Sequence, residues 1–291
     1  MAPAKVNLSL AVGSLRPDGY HEIASCMQMV GLYDRLTFRP HRTDLRLTVE
    51  ASPLPADRSN LVIRAAEMLR QAAAEAGRHV GGAEMTLEKN IPIAAGLGGG
   101  SSDAVATFIG LNRLWNLRWR RRRLAELAAT LGSDLPFFFY GPTAWVTGRG
   151  ECVTPMAPPL YDWAVVVDPG QPVETAVVYG QFARRALTTP HRRIRMPRLD
   201  LDGDFSCIFA RPRNDLERIT LTLFPHLMPI KKALRDFGGR GVLMSGSGST
   251  FFGLFDRADR ANAAAAAVRR EDLGRAWTVR LLKRSPVRRR V

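Results

Sequence analysis

The sequence predicts a two-domain α+β protein, and three observations carry that expectation. Strand-like and helix-like segments alternate through the first half. Residues 155–159 (PMAPP) have the composition of an extended linker. Past it, two apolar strands flank Gly246-Ser247-Gly248-Ser249, and an Ala-rich helix and a last strand complete an α+β unit. The 291 residues suit two domains of about 150 each, divided into 1–157 and 158–291.

Each element has its own signal. Residues 5–12 (KVNLSLAV) alternate polar and apolar side chains at period two, as a half-buried strand does, and Arg16-Pro17-Asp18-Gly19 supplies turn chemistry. Strands are expected next over 23–30 and 44–50, with a loop at 51–58 where Pro53 and Pro55 fall. From Asn60 to Ala76 the pattern turns helical, rich in Ala, Leu and Glu, and Gly77 is placed to stop it. Alternation returns over 83–89. A helix is expected from Ser102 to Trp115, with Ala104, Phe108, Leu111 and Trp115 on one face. Beyond the linker come a buried strand at 163–168 (WAVVVD), a helix over 174–186 and an irregular Arg- and Pro-rich stretch to 213. Helices at 215–223 and 228–237, strands at 241–245 and 250–255, a helix at 258–270 and a strand at 276–283 close the chain, which contains no internal repeat.

Composition bounds the function less tightly. With 46% hydrophobic and 24% charged residues the chain reads as globular. No apolar run approaches the roughly 20 residues needed to span a bilayer, and the start lacks a basic segment followed by an apolar one, so neither membrane insertion nor export is expected. Cys26, Cys152 and Cys207 lie far apart with no CxxC, which supports neither a disulfide framework nor a zinc cluster and fits a reducing, cytoplasmic setting. The net charge of +15 would attract polyanions, from nucleic acid to nucleotide phosphates. Arginine supplies 37 of the 42 basic residues, however, and the excess is concentrated after residue 157, the mark of a coding preference rather than of one anion site.

The most informative stretch is Pro92-Ile93-Ala94-Ala95-Gly96-Leu97-Gly98-Gly99-Gly100-Ser101-Ser102-Asp103. Its glycines let the backbone turn through positive φ and approach a ligand, and the next helix offers unpaired N–H groups and the positive end of its dipole. That combination suits a phosphate chain. Ser101 stands where a Walker loop needs Lys, and the glycine spacing is not GxGxxG. A plain turn capping the helix through Ser101 or Ser102 is the alternative. In Leu131-Gly132-Ser133-Asp134-Leu135-Pro136, Asp134 is either a carboxylate held in a cleft or a helix cap. Lys5 and Asn7 share one face of the first strand, toward solvent or toward a site.

Together, Pro3-Ala4-Lys5-Val6-Asn7-Leu8, Arg16 to His21, Pro92 to Ser102, Leu131 to Pro136 and Val242 to Gly248 resemble the GHMP small-molecule kinases, in order along nearly the whole chain. The start and the Asp18-Gly19-Tyr20-His21 segment are most similar to members whose substrate carries a cytidyl diphosphate. The resemblance implies a nucleotide-binding N-terminal α/β sandwich, a ferredoxin-like C-terminal domain, and ATP-dependent phosphorylation of a cytidyl-diphosphate methylerythritol on the non-mevalonate route to isoprenoid precursors. It makes Asp134 the base and Lys5 its partner. Pro92 to Ser102, that is Pro92, Ile93, Ala94, Ala95, Gly96, Leu97, Gly98, Gly99, Gly100, Ser101 and Ser102, would wrap the ATP phosphates with Mg²⁺ bridging them. Ser102 is then either a metal contact or a cap.

By the same resemblance, Asn60, Leu61 and Lys89 match positions near the nucleotide base, and Asn7 would bond substrate near the reacting hydroxyl. Tyr20 and His21 match the cytosine site, with Thr175 in the segment that places Tyr179 on the opposite face of the base. Gly246-Ser247-Gly248 would close over the cleft. A kinase for homoserine or a mevalonate derivative is disfavoured because those substrates have no pyrimidine to stack. An RNA-binding module built on Arg118, Arg120 to Arg123 and the tail Arg288 to Arg290, with Trp115 and Trp119 stacking, is disfavoured because Trp115 falls on the apolar helix face. Partners are thus expected to be small molecules, with neither nucleic acid nor membrane.

Overall fold

Two long strands set up the molecule: β1 (Ala2–Leu15) and β2 (His21–His41) pair antiparallel through the Arg16 to Gly19 turn. A computed structural model of the chain describes residues 1–50, 52–187 and 212–286. The Arg- and Pro-rich stretch is therefore outside the described residues from 188 to 211, as is the tail Arg288 to Arg290. Strand β2 continues far past residue 30, where apolar alternation ends at Gly31, because its second half pairs with β4 (Gly82–Glu88). β3 (Leu45–Glu50) joins β4 in parallel, and β5 (Thr143–Gly148) and β6 (Cys152–Pro155) extend the other side. The six strands form one sheet of order β3-β4-β2-β5-β6 with β1 on β2.

Helix α1 (Leu61–Glu75) and helix α2 (Gly99–Leu114) cover this sheet, and α3 (Arg121–Ala129) and α4 (Leu135–Tyr140) follow. Leu69, Phe108, Leu111, Phe137 and Met85 meet in its core. The Arg120 to Arg123 run, read from the sequence as a charge cluster, opens α3. There the Arg123 guanidinium lies 3.5 Å from the ring centroid of Trp119, a buried side chain and so no open stacking platform. Trp115 stands at the C-cap of α2, half-buried, its Nε1 donating to Gly82 O.

The second unit is a four-stranded antiparallel sheet of β7 (Trp163–Asp168), β8 (Arg240–Met244), β9 (Phe251–Phe255) and β10 (Arg275–Arg280), in the order β10-β7-β9-β8. Helices α5 (Thr175–Leu187), α6 (Glu217–Leu223), α7 (Met228–Asp236) and α8 (Ala258–Arg270) pack on it. Helical segments between its first and second and between its third and fourth strands give the split βαβ pattern of a ferredoxin-like unit.

β1 belongs to both halves. Ala4, Val6 and Leu8 pack with Val166, Phe252, Leu254 and Val279 of the second sheet, while Lys5 and Asn7, on the opposite face, are nearly closed to solvent. The period-two pattern thus encodes a strand buried on both sides, whose polar face meets a cavity rather than water. Among the described residues no helix is long and apolar enough to cross a membrane.

Candidate active site

A cavity of about 740 Å³ opens between the two sheets, within the usual range for a small-molecule site. β1 contributes Lys5 and Asn7, the segment Pro92 to Ser101 forms one wall, Asp134 stands at the start of α4, and Thr175, Tyr179, Gly246 and Ser247 close the other side.

The glycine segment leads into a helix start, but one turn earlier than the sequence pattern predicts. Helix α2 begins at Gly99, capped by Gly98 in the left-handed region at φ +67°, and Gly98 makes no side-chain cap bond. Glycines have low helix propensity, which is why the pattern placed Gly99 and Gly100 in the loop. At Gly98 a Cβ would also lie 3.0 Å from both Lys5 Cγ and Phe138 Cζ, so glycine meets the dihedral and the close approach together. Neither Ser101 nor Ser102 is the cap. Ser101 lines the cavity, whereas the Ser102 hydroxyl is buried without a partner and Ser102 lines a separate cavity of about 340 Å³.

Lys5 and Asp134 do meet. Lys5 Nζ lies 3.7 Å from Asp134 Oδ2 and donates to Asn7 Oδ1 at 2.7 Å. Asp134 occupies the N-cap position of α4, yet its carboxylate makes no cap bond and is left for the cavity. Burial lowers the Lys5 ammonium below its ordinary value of 10.5, and the Asp134 carboxylate pulls it partly back. Asn7 is held in turn: its Nδ2 donates to Ser25 Oγ at 2.8 Å, and Ser25 donates to Ser9 O at 2.7 Å. Both polar atoms of the Asn7 side chain are thus engaged by protein.

The residues matched by resemblance to the nucleotide base have structural duties. Asn60 caps α1, its Oδ1 accepting from Val62 N at 2.9 Å and its Nδ2 donating to Pro55 O at 2.8 Å. It lines the cavity beside Leu61. Lys89 is buried between two carboxylates, bonded to Asp34 Oδ2 and at 3.0 Å to Asp103 Oδ2. Burial pushes the Asp103 carboxyl up to about 7 against the pull of Lys89. Asp34 and Ser25 are site-supporting residues that sequence reasoning missed, and Asp103, at the end of the glycine stretch, carried no role there; an aspartate ending the apolar run Val30-Gly31-Leu32-Tyr33 was the available signal for Asp34.

The residues matched by resemblance to a cytosine site come together only in part. His21 and Tyr179 touch, with ring centroids 5.7 Å apart and planes at 34°, and His21 Nδ1 donates to Gly13 O at 2.8 Å. Burial, and then the Asp134 charge, push the Tyr179 phenol up. Tyr20 is half exposed outside the cavity wall, its ring 5.2 Å from the Arg149 guanidinium. Thr175 Oγ1 lies 2.9 Å from Ser247 Oγ, which fastens the start of α5 to the Gly246 to Gly248 turn. That turn also grips the glycine segment, because Ser245 Oγ donates to Gly96 O at 2.9 Å.

Comparison with known proteins identifies the family. Residues 60–142 match the GHMP kinases N terminal domain, and residues 203–273 match the GHMP kinases C terminal domain. A 4-diphosphocytidyl-2-C-methyl-D-erythritol kinase from Pelotomaculum thermopropionicum is 44% identical over 94% of each chain. A crystal structure of 4-(cytidine 5'-diphospho)-2C-methyl-D-erythritol kinase is 41% identical with a TM-score of 0.78, covering 96% of this chain and 97% of that one. Homoserine kinase from Cytophaga hutchinsonii, at 20% identity and a TM-score of 0.66 over 98% of this chain and 94% of its own, shares the fold alone.

Proposed function

The chain belongs to the GHMP kinase family, among its 4-diphosphocytidyl-2-C-methyl-D-erythritol kinases, and we propose that it transfers the γ-phosphoryl group of ATP to the 2-hydroxyl of that cytidyl alcohol, on the non-mevalonate route to isoprenoid precursors. The observation that carries the residue roles is the meeting of Lys5, Asp134 and the glycine segment in one cavity.

Phosphoryl transfer passes through a loose transition state, so the protein acts mainly by positioning and by neutralising charge. Asp134, uncommitted as a cap, accepts the proton of the 2-hydroxyl as its oxygen bonds to the γ-phosphorus and the bond from that phosphorus to the β–γ bridging oxygen breaks. The Lys5 ammonium neutralises charge on the phosphoryl oxygens. Asn7 orients Lys5 through its amide oxygen and gives one N–H of Nδ2 to Ser25, so a bond to substrate would use the second N–H of that Nδ2. Backbone N–H groups at the start of α2 and along Gly96 to Gly100 receive the phosphates. Pro92 to Leu97 shape the wall, and Asn60, Leu61 and Lys89 border the nucleotide.

The described residues hold no cluster of three or more metal-binding side chains, which fits an ion carried in on the nucleotide phosphates. The Ser101 hydroxyl on the cavity wall would help hold Mg²⁺, while Ser102 lines the other cavity. Bound Mg²⁺ would offset phosphate charge.

For the second substrate, His21 gives Nδ1–H to Gly13 O and lies against Tyr179 behind the cavity lining, which leaves Nε2 for the polar edge of cytosine. Tyr179 offers the stacking face on the cavity side, with Thr175 beside it and Tyr20 at the rim. The same reading divides the chain at 157/158, between the two sheets, and places the enzyme in the cytoplasm with small molecules as its partners. ADP release from ATP and Mg²⁺, with the cytidyl alcohol offered beside homoserine and phosphomevalonate, tests it: turnover should require the cytidyl alcohol, and a preference for either other alcohol refutes the assignment.

A further inference from the structure

We propose that Asp34 is a positioning residue for ATP, fastening the start of the phosphate-binding segment to β2 and, through the Lys89 ammonium, to the second turn of α2. The inference rests on the reading of that segment as the ATP phosphate site. Asp34 is wholly buried; it accepts from three donors, and the Asp103 carboxyl, which its charge helps to push up, lies beside them. Its Oδ1 accepts the backbone N–H groups of Asn90 (2.6 Å) and Ile91 (2.8 Å), the two residues before Pro92, and its Oδ2 accepts Lys89 Nζ. The same ammonium reaches Asp103 on α2 at 3.0 Å. It lies so close beneath Gly99 that a Cβ there would stand 2.8 Å from Nζ. One buried carboxylate thus governs where the segment begins and, through a single cation, where it turns into helix.

The chemistry makes Asp34 hard to replace. An asparagine has one accepting end, so Asp34→Asn must turn an NH₂ either on the two amides or on the ammonium, setting donor against donor where water cannot intervene. The N–H groups of Gly96 to Gly100 would then no longer be held in advance for the phosphates, and the loss should fall on ATP.

The test compares Asp34→Asn with Glu217→Gln. Glu217 is a comparable buried acid in the second unit, bonded to Lys231 and to Met244 N and making no bond to residues 90–103 itself. Asp34→Asn should raise KM for ATP at least tenfold and change KM for the cytidyl alcohol less than twofold, and Glu217→Gln should lower Tm without that split. Parallel changes in both KM values, or an unchanged KM for ATP, overturn the inference. Amide exchange in the wild type decides the matter if Asp34→Asn does not fold. Asn90 and Ile91 should be protected without nucleotide, and exchange as fast as that of exposed Ala94 contradicts the anchor. Wild type that binds no non-hydrolysable ATP analogue overturns the phosphate-site reading and this inference with it; wild type that turns over while Asp34→Asn behaves like Glu217→Gln overturns this inference alone.

Discussion

Lys5 Nζ stands 3.7 Å from Asp134 Oδ2, a buried ammonium on the first strand facing a part-exposed carboxylate 129 positions later in the chain, at the head of a six-residue helix. The pair joins the two sequence features that were individually weakest. It places a cation and a proton acceptor on the same side of the cavity as the glycine segment.

Asp134→Asn keeps the shape of the side chain and removes its basicity. Its kcat should fall by about 10²–10⁴-fold, the usual worth of a positioned general base. Binding of an ATP analogue, measured calorimetrically, should change little. Near wild-type turnover would remove Asp134 from the chemistry.

The alkaline limb of kcat should reflect Lys5. Burial lowers this amine from 10.5, so it loses its proton at a lower pH than a free lysine, and the rate should decline before pH 10.5 is reached. The same shift has a stability sign. Between the depressed folded value and 10.5 the unfolded chain binds the extra proton, so this group's contribution to stability rises with pH while activity falls. Lys5→Arg, which stays charged, should erase the limb in whatever activity remains, and a limb of unchanged position would assign it to another group.

Ser25 decides which way Asn7 points. Because Ser25 donates to Ser9 O, its lone pair takes the Asn7 NH₂ and the amide oxygen is left for Lys5. Ser25→Ala removes a bond worth about 1 kcal/mol, which corresponds to roughly a fivefold fall in kcat if Lys5 loses that much positioning. Steady-state kinetics should show KM for ATP unmoved; a rise confined to that KM would place the effect elsewhere.

Tyr179 and Tyr20 should separate in KM for the cytidyl alcohol. Stacking on a base is worth about 1–3 kcal/mol, so Tyr179→Ala, on the cavity wall, should raise that KM roughly 5- to 150-fold. Tyr20→Ala, at the exposed rim, should raise it less, and neither should move KM for ATP comparably. The reverse order would show that the rim closes on the base.

Much of this was legible in residue pattern. Helix α8 falls on its expected residues, and α1 runs from its Asn60 cap nearly to Gly77 because cap, periodicity and stop signal agree. Helix α4 was not legible: Leu135-Pro136-Phe137-Phe138-Phe139 is apolar all round, since it is buried on every side, and carries no period. Helix α3 hid behind its arginines. At the site, Lys5 and Asn7 could be placed on one face of a strand, but only the approach of Gly98, Asp134 and Ser245 to that face decides that it is nearly closed to water. Asp34 was overlooked because its partners, Lys89 and the Asn90 and Ile91 amides, arrive from the segment that follows β4. Asn60 and Lys89, matched by resemblance to nucleotide contacts, turn out to hold a helix start and a buried ion cluster as well. A motif match does not disclose that double use.

The most direct test of the central claim is ³¹P NMR of the purified protein turning over ATP and Mg²⁺ with 4-diphosphocytidyl-2-C-methyl-D-erythritol. The account predicts ADP and a new phosphomonoester resonance in equal amounts, both lost in Asp134→Asn. ATP left intact beside the cytidyl alcohol, while homoserine or phosphomevalonate is phosphorylated, would contradict it.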